Sequence, residues 1–214
     1  ISMSSLEEDK RLHSIDYLLQ SCALVKALGG KRVIFHSGSC GRQSREAALE
    51  KALDTMARMQ VALDEAGFED ITLCPETMGK VKELGTVEET LKLCQVDERF
   101  LPTLDFGHIN ARTQGGLKTY EDFKAVFDAV ENALGRERAS QFHSHFSKIE
   151  YGDKGEKKHL TFQDQEFGPE FDYVAVLAAE RGYAPTFICE SNGTMAEDAL
   201  TMKALYETAI RELK

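Results

Sequence analysis

His36, Glu76, Asp105, His108, Glu190 and the pair His143 and His145 share a feature that bears on chemistry. Each stands at or near the polar end of a short apolar run: 32–36 (RVIFH), 70–76 (DITLCPE), 101–105 (LPTLD), 141–146 (QFHSHF) and 185–190 (PTFICE). Carboxylates and imidazoles gathered in one place form a nitrogen and oxygen donor set, which suits Zn²⁺ or Mn²⁺. One polar residue at a strand end is ordinarily a cap or a satisfied hydrogen-bonding group. One from every run is a different matter, because burying several carboxylates together is costly unless cations neutralise them. A shared metal site is therefore expected. His143 and His145 are two residues apart and face the same side of a strand, so both stay candidates. His159 ends a Gly- and Lys-rich segment, 153–159 (DKGEKKH), and is expected either to fold back over the site or to be solvated. His13 lies in a charged helical segment, 11–16 (RLHSID), and receives no role.

The elements that must position these residues alternate along the chain. Segment 46–65 places Leu49, Leu53, Met56 and Leu63 at helical spacing, with Gly67 as a stop. Thr86 with Glu89, and Thr194 with Glu197, have the spacing of capping boxes. Segment 120–134 is amphipathic through Phe123, Phe127 and Val130, then meets Gly135; Pro169 opens a further helix that ends near Gly182. Strand and helix in alternation predict parallel strands joined by crossover helices. An open doubly wound sheet and a closed barrel both fit. No GxGxxG or GxxxxGK[ST] follows the first strand, which removes the usual support for a nucleotide-binding sheet. In a parallel barrel all strand ends of one kind meet at one face, where such folds place their sites. The chain supplies five βα units, whereas a barrel needs eight.

Composition narrows the function classes. Cys22, Cys40, Cys74, Cys94 and Cys189 are odd in number and contain no CxxC pair, which argues against a disulfide framework and a thiolate zinc cage. Free thiols fit a reducing cytosol, so a cytoplasmic location is expected. No apolar run reaches the roughly 20 residues of a membrane span, and the first residues lack the basic and apolar regions of a signal peptide. The formal net charge of −10 counts against a nucleic-acid partner, whose phosphates attract Lys and Arg. Bound divalent cations would offset part of it.

Five short motifs, in order and at matching spacing, resemble those of the endonuclease IV family, within the xylose-isomerase-like TIM-barrel superfamily. FHSGS at 35–39 resembles the family's FHPGS, with Ser37 in place of the Pro. PETMGKVKELG at 75–85 resembles the segment whose Glu bridges two metals. LDFGH at 104–108 is similar to DTxH, SHFSK at 144–148 to HLNDxK, and ICES at 188–191 to the last-strand ETP. The resemblance covers almost the whole chain. It implies a TIM (β/α) barrel as a single domain over 1–214, lacking its N-terminal strands. It also implies a metal set of His36, Glu76, Asp105, His108, His145, His159 and Glu190, and favours His145 over His143. The family's DxH pair is the main departure, since its nearest match here is Glu156 and His159, spaced ExxH.

The activity implied is hydrolysis of DNA 5′ to abasic sites in base-excision repair, with abasic DNA as partner and no membrane. The implied cofactors are two or three Zn²⁺ ions, with Mn²⁺ as the alternative. Glu76 is the expected catalytic, bridging carboxylate. Two cations roughly 3.5–4 Å apart can polarise a phosphodiester and stabilise its leaving oxygen. A divalent-metal-dependent sugar isomerase or epimerase on the same barrel is the alternative; its small neutral substrate suits the acidic charge better. A metal-binding barrel without catalysis is a third reading.

Overall fold

The computed structural model describes residues 1–213, and each of the five apolar runs contains a strand. The chain divides into two compact units. The first comprises Ile1–Thr77 with Lys82–Thr103; the second comprises Met78–Val81 with the chain from Leu104 onward.

The first unit contains α1 (Glu8–Ala27), β1 (Arg32–Phe35), α2 (Arg45–Glu65), β2 (Thr72–Pro75) and α3 (Val87–Cys94). β1 and β2 pair in parallel, with Arg32 opposite Thr72 and Phe35 opposite Pro75. The ladder continues past β2, because the Glu76 N–H donates to the Phe35 carbonyl at 3.0 Å. α2 buries Ala48, Ala52, Met56, Met59 and Leu63, which recur at helical spacing and so form one apolar face. Leu18 and Cys22 of α1 and Leu73 and Cys74 of β2 are equally buried. Each large aliphatic side chain withdrawn from water contributes about 1.5–3 kcal/mol before entropy is counted. Ser44 caps α2 by accepting from the Ala47 N–H. The expected capping box at Thr86 and Glu89 is present on α3. Glu89 also receives Arg45 Nη1 on both carboxylate oxygens, at 2.7 and 2.9 Å, and the Gly85 N–H at 2.8 Å.

β3 (Thr103–Asp105) begins on the last residue of the first unit and continues in the second. Then follow α4 (Phe106–Arg112), α5 (Tyr120–Ala139), β4 (His143–Phe146), β5 (Ile149–Gly152), β6 (Gly155–His159), α6 (Asp172–Arg181), β7 (Thr186–Cys189) and α7 (Met195–Glu212). The sheet order is β3-β4-β7, with β4 and β7 parallel. Phe106, Phe123, Phe127, Phe142, Phe146 and Phe171 are buried together, several ring pairs meeting edge to face as at Phe146–Phe171, 4.9 Å apart.

The structure departs from the sequence reading in local ways. The segment read as a Gly- and Lys-rich loop is a β-hairpin, β5–β6, paired antiparallel. Its strand face is too polar to announce itself by alternation. The hairpin needs Gly155, which has φ +94° and lies so close to the Gly79 carbonyl that a Cβ there would stand 2.0 Å from the oxygen. Gly135 does take a left-handed φ of 80°, yet helical structure resumes beyond it and α5 runs, kinked, to Ala139. Pro169 precedes α6 without opening it. Thr194 does not form a capping box; its hydroxyl donates to Asp198 instead. Among the described residues no helix is long and apolar enough to cross a membrane.

Candidate metal centre

In the first unit, His36 follows β1 and Glu76 follows β2, one step beyond the paired residues Phe35 and Pro75. The parallel register therefore sets them side by side, with His36 Nε2 3.2 Å from Glu76 Oε2. Glu76 is buried, while the His36 side chain is 61% exposed.

In the second unit, Asp105 is both the last residue of β3 and the N-cap of α4. Its Oδ1 accepts the His108 N–H at 2.8 Å, and this turn brings His108 Nδ1 to 3.2 Å from Oδ2. A DFGH sequence at a strand-to-helix junction thus places a carboxylate and an imidazole together through one capping turn. On β4 and β7, the pairing of Phe146 with Cys189 carries Glu190 to the sheet end, where its N–H donates to the Phe146 carbonyl. His145 Nδ1 lies 3.3 Å from Glu190 Oε1. Asp105, His145 and Glu190 each offer one ligand atom, and these atoms lie within 4.8 Å of one another. Asp105 is fully buried and His145 nearly so. This donor set of one imidazole and two carboxylates could hold a divalent cation, and Zn²⁺ or Mn²⁺ fits its chemistry.

A second group adjoins His108. Its Nε2 lies 3.1 Å from Glu156 Oε2, on β6. His159, at the end of β6, sets its ring edge-on to His108 with centroids 5.7 Å apart, and its Nδ1 pairs with Ser147 Oγ at 2.8 Å. The hairpin therefore brings His159 in beside the other imidazoles. His143 packs edge-on against His145, 5.2 Å between centroids, but it is His145 that groups with Asp105 and Glu190. His13 is exposed on α1.

Sequence reasoning missed the residues that hold these groups. Ser147 is buried against His159. Lys148 is buried too, with Nζ 2.6 Å from Glu170 Oε1 and 2.7 Å from the Asp164 carbonyl. Asp198 of α7 accepts from the Phe162 N–H and the Thr194 hydroxyl. Burial pushes the Asp198 carboxyl up, but hydrogen bonds from Ser191, Phe162 and Thr194 outweigh it and hold it below the usual range. Ser147 and Lys148 lie inside the SHFSK motif, which is their one signal in the chain, whereas nothing periodic marks Asp198 before folding.

Residues 1–213 match the family model described as xylose isomerase-like TIM barrel. An uncharacterized protein of Methanocaldococcus jannaschii is 34% identical over 209 residues, covering 97% of this chain and 74% of that protein. A probable endonuclease 4 of Staphylococcus carnosus is 28% identical over 64% of this chain, and the match spans 46% of that relative's length. Among solved structures, a D-tagatose 3-epimerase-like protein has a TM-score of 0.72 at 19% identity, covering 99% of this chain and 75% of that one. Endonuclease IV from Thermus thermophilus has a TM-score of 0.64 at 20% identity, covering 99% of this chain and 73% of that one. Likenesses this remote in sequence speak to the fold alone.

Proposed function

Because the chain belongs to the xylose isomerase-like TIM-barrel family, we propose that its donor groups serve a metal-dependent phosphodiesterase of the endonuclease IV type, cutting DNA 5′ to abasic sites. The observation that carries this reading is the doubling of donors in the second unit. Asp105, His145 and Glu190 form one group, and His108, Glu156 and His159 adjoin it as another. A sugar isomerase working through one divalent cation has less use for the extra imidazoles. Phosphodiester hydrolysis gains from more than one cation, because charge develops on both the non-bridging and the leaving oxygens.

In this reading Asp105, His145 and Glu190 hold one cation. His108 and His159, with Glu156 in the place of the family's Asp, contribute to a further one. His36 and Glu76, side by side in the first unit, would offer a further imidazole and carboxylate as ligands, Glu76 being the carboxylate the reading makes indispensable. When bound, the cations polarise the phosphate and offset the charge of these carboxylates. The chain's own work is positional. The capping turn at Asp105 orients His108, Ser147 orients His159, and burial of Asp105 keeps competing water away. The net charge of −10 favours the second reading, a sugar isomerase or epimerase on the same scaffold.

The test uses the intact protein loaded with Zn²⁺ or Mn²⁺ and a duplex carrying one abasic site. Wild type is expected to nick it, Glu76→Gln to abolish nicking with an unchanged far-ultraviolet circular dichroism spectrum, and His13→Ala to match wild type. Wild-type protein that leaves the duplex whole and instead exchanges a sugar proton with solvent would establish the sugar-enzyme reading in its place.

A further inference from the structure

The chain segments leaving His159 and Glu190 are tied together at one buried carboxylate. Asp198 lies in the first turn of α7 and is 6% exposed. Its Oδ2 accepts the Phe162 N–H at 3.0 Å and the Thr194 hydroxyl at 2.8 Å. Ser191, the residue after Glu190, is 1% exposed, and its hydroxyl helps to hold the Asp198 carboxyl below the usual range. Backbone bonds extend the tie. The Asn192 N–H donates to the Leu160 carbonyl at 3.3 Å, and the Leu160 N–H to the Lys148 carbonyl at 2.8 Å. The exits of β4, β6 and β7 are thus fastened to one another just beyond His145, His159 and Glu190.

A helix needs far less than this from an acid in its first turn. Glu197 beside it is exposed and already meets the positive end of the α7 dipole. Burying a carboxylate costs free energy that only well-placed donors offset. Here the donors come from the N-cap position of α7, from the residue beside Glu190, and from three residues past His159.

We propose that Asp198 is a positioning residue, setting Glu190 through Ser191 and His159 through the 160–162 segment for metal ligation. The proposal rests on the metal-centre reading above. Partners behind metal ligands typically contribute 10–100-fold to affinity by fixing ligand orientation. Asparagine at 198 keeps the size and one acceptor but cannot accept from all three donors at once.

The experiment titrates Co²⁺, whose visible spectrum reports ligand geometry, into wild type, Asp198→Asn, Ser191→Ala and Asp172→Asn, the last an exposed acid in the first turn of α6. Asp198→Asn is expected to weaken Co²⁺ binding roughly 10–100-fold and to alter the visible band, Ser191→Ala to alter the band in the same sense, and Asp172→Asn to match wild type. A purely structural role would lower the melting temperature of Asp198→Asn and leave the affinity and band of the folded protein as in wild type; that result overturns the proposal. If Asp198→Asn does not fold, an unchanged band in Ser191→Ala overturns it equally. Wild-type protein that binds no Co²⁺ would overturn the metal reading itself.

Discussion

Asp105 and Glu89 are both buried acids at helix N-termini, and the chain treats them differently. Glu89, in the first unit, meets the Arg45 guanidinium on both oxygens and takes two backbone N–H groups from Gly85 and Thr86. Burial alone would push its carboxyl up; Arg45 and those donors outweigh it and hold the carboxyl below the usual range. Asp105, in the second unit, is fully buried and meets imidazole: His108 at its Oδ2, and His145 within the same donor group. A guanidinium carries its charge at every accessible pH and saturates a carboxylate with donors. An imidazole is ordinarily neutral at pH 7 and has a lone pair to give. Glu89 is thus matched by a permanent cation, whereas the groups around Asp105 are of the kinds that ligate a divalent metal.

Removing the charge at each place should therefore do opposite things. Asp105→Asn is expected to have the larger effect on metal binding, weakening it by more than the 10–100-fold that losing an outer partner costs. Asparagine caps a helix as well as aspartate does, so the metal-free variant should melt at or above the wild-type temperature. A large fall in its melting temperature, with metal binding retained, would make Asp105 a structural acid like Glu89 and erase the contrast. Calorimetry of the metal-free proteins with a parallel metal titration gives both readings.

Glu89→Gln is expected to leave metal binding unchanged and to destabilise the fold, because it strands a partly buried Arg45. Breaking such a pair costs about 3 kcal/mol, or roughly 6–12 °C in melting temperature for a chain of this size. The sign of its pH dependence follows from the lowered pKa. The unfolded glutamate titrates at about 4.3, and the folded one below that. Its contribution is then full above the unfolded pKa and is lost as pH falls through the folded value. The stability gap between wild type and Glu89→Gln should accordingly be constant near neutrality and close in acid. A gap that widens below pH 4 would contradict the assignment. The smallest of these effects, it is read by denaturant titration across pH.

Much of this contrast was legible in the chain. The Thr86–Glu89 spacing announced its capping box, and the strand-end residues Asp105, His145 and Glu190 announced a donor group, because period and capping are local rules. What stayed hidden was set by tertiary contact. His143 and His145 have the same parity on β4, so periodicity left both open; the motif resemblance favoured His145, and the partners supplied by β3 and β7 group that one with Asp105 and Glu190. The β5–β6 hairpin was invisible because its outward residues are charged and its turn depends on Gly155 meeting Gly79, far off in sequence. Thr194 had the right spacing for a capping box with Glu197, yet Asp198, one residue on, took its hydroxyl.

Elemental analysis of the wild-type protein, purified without any chelator and set beside Asp105→Asn prepared identically, tests the central claim most directly. The claim is that Asp105, His145 and Glu190 hold a divalent transition metal. At least one equivalent of zinc or manganese in the wild type, lost from the variant, is the result expected. A wild type free of transition metal, or a variant that retains as much metal as the wild type, would contradict it.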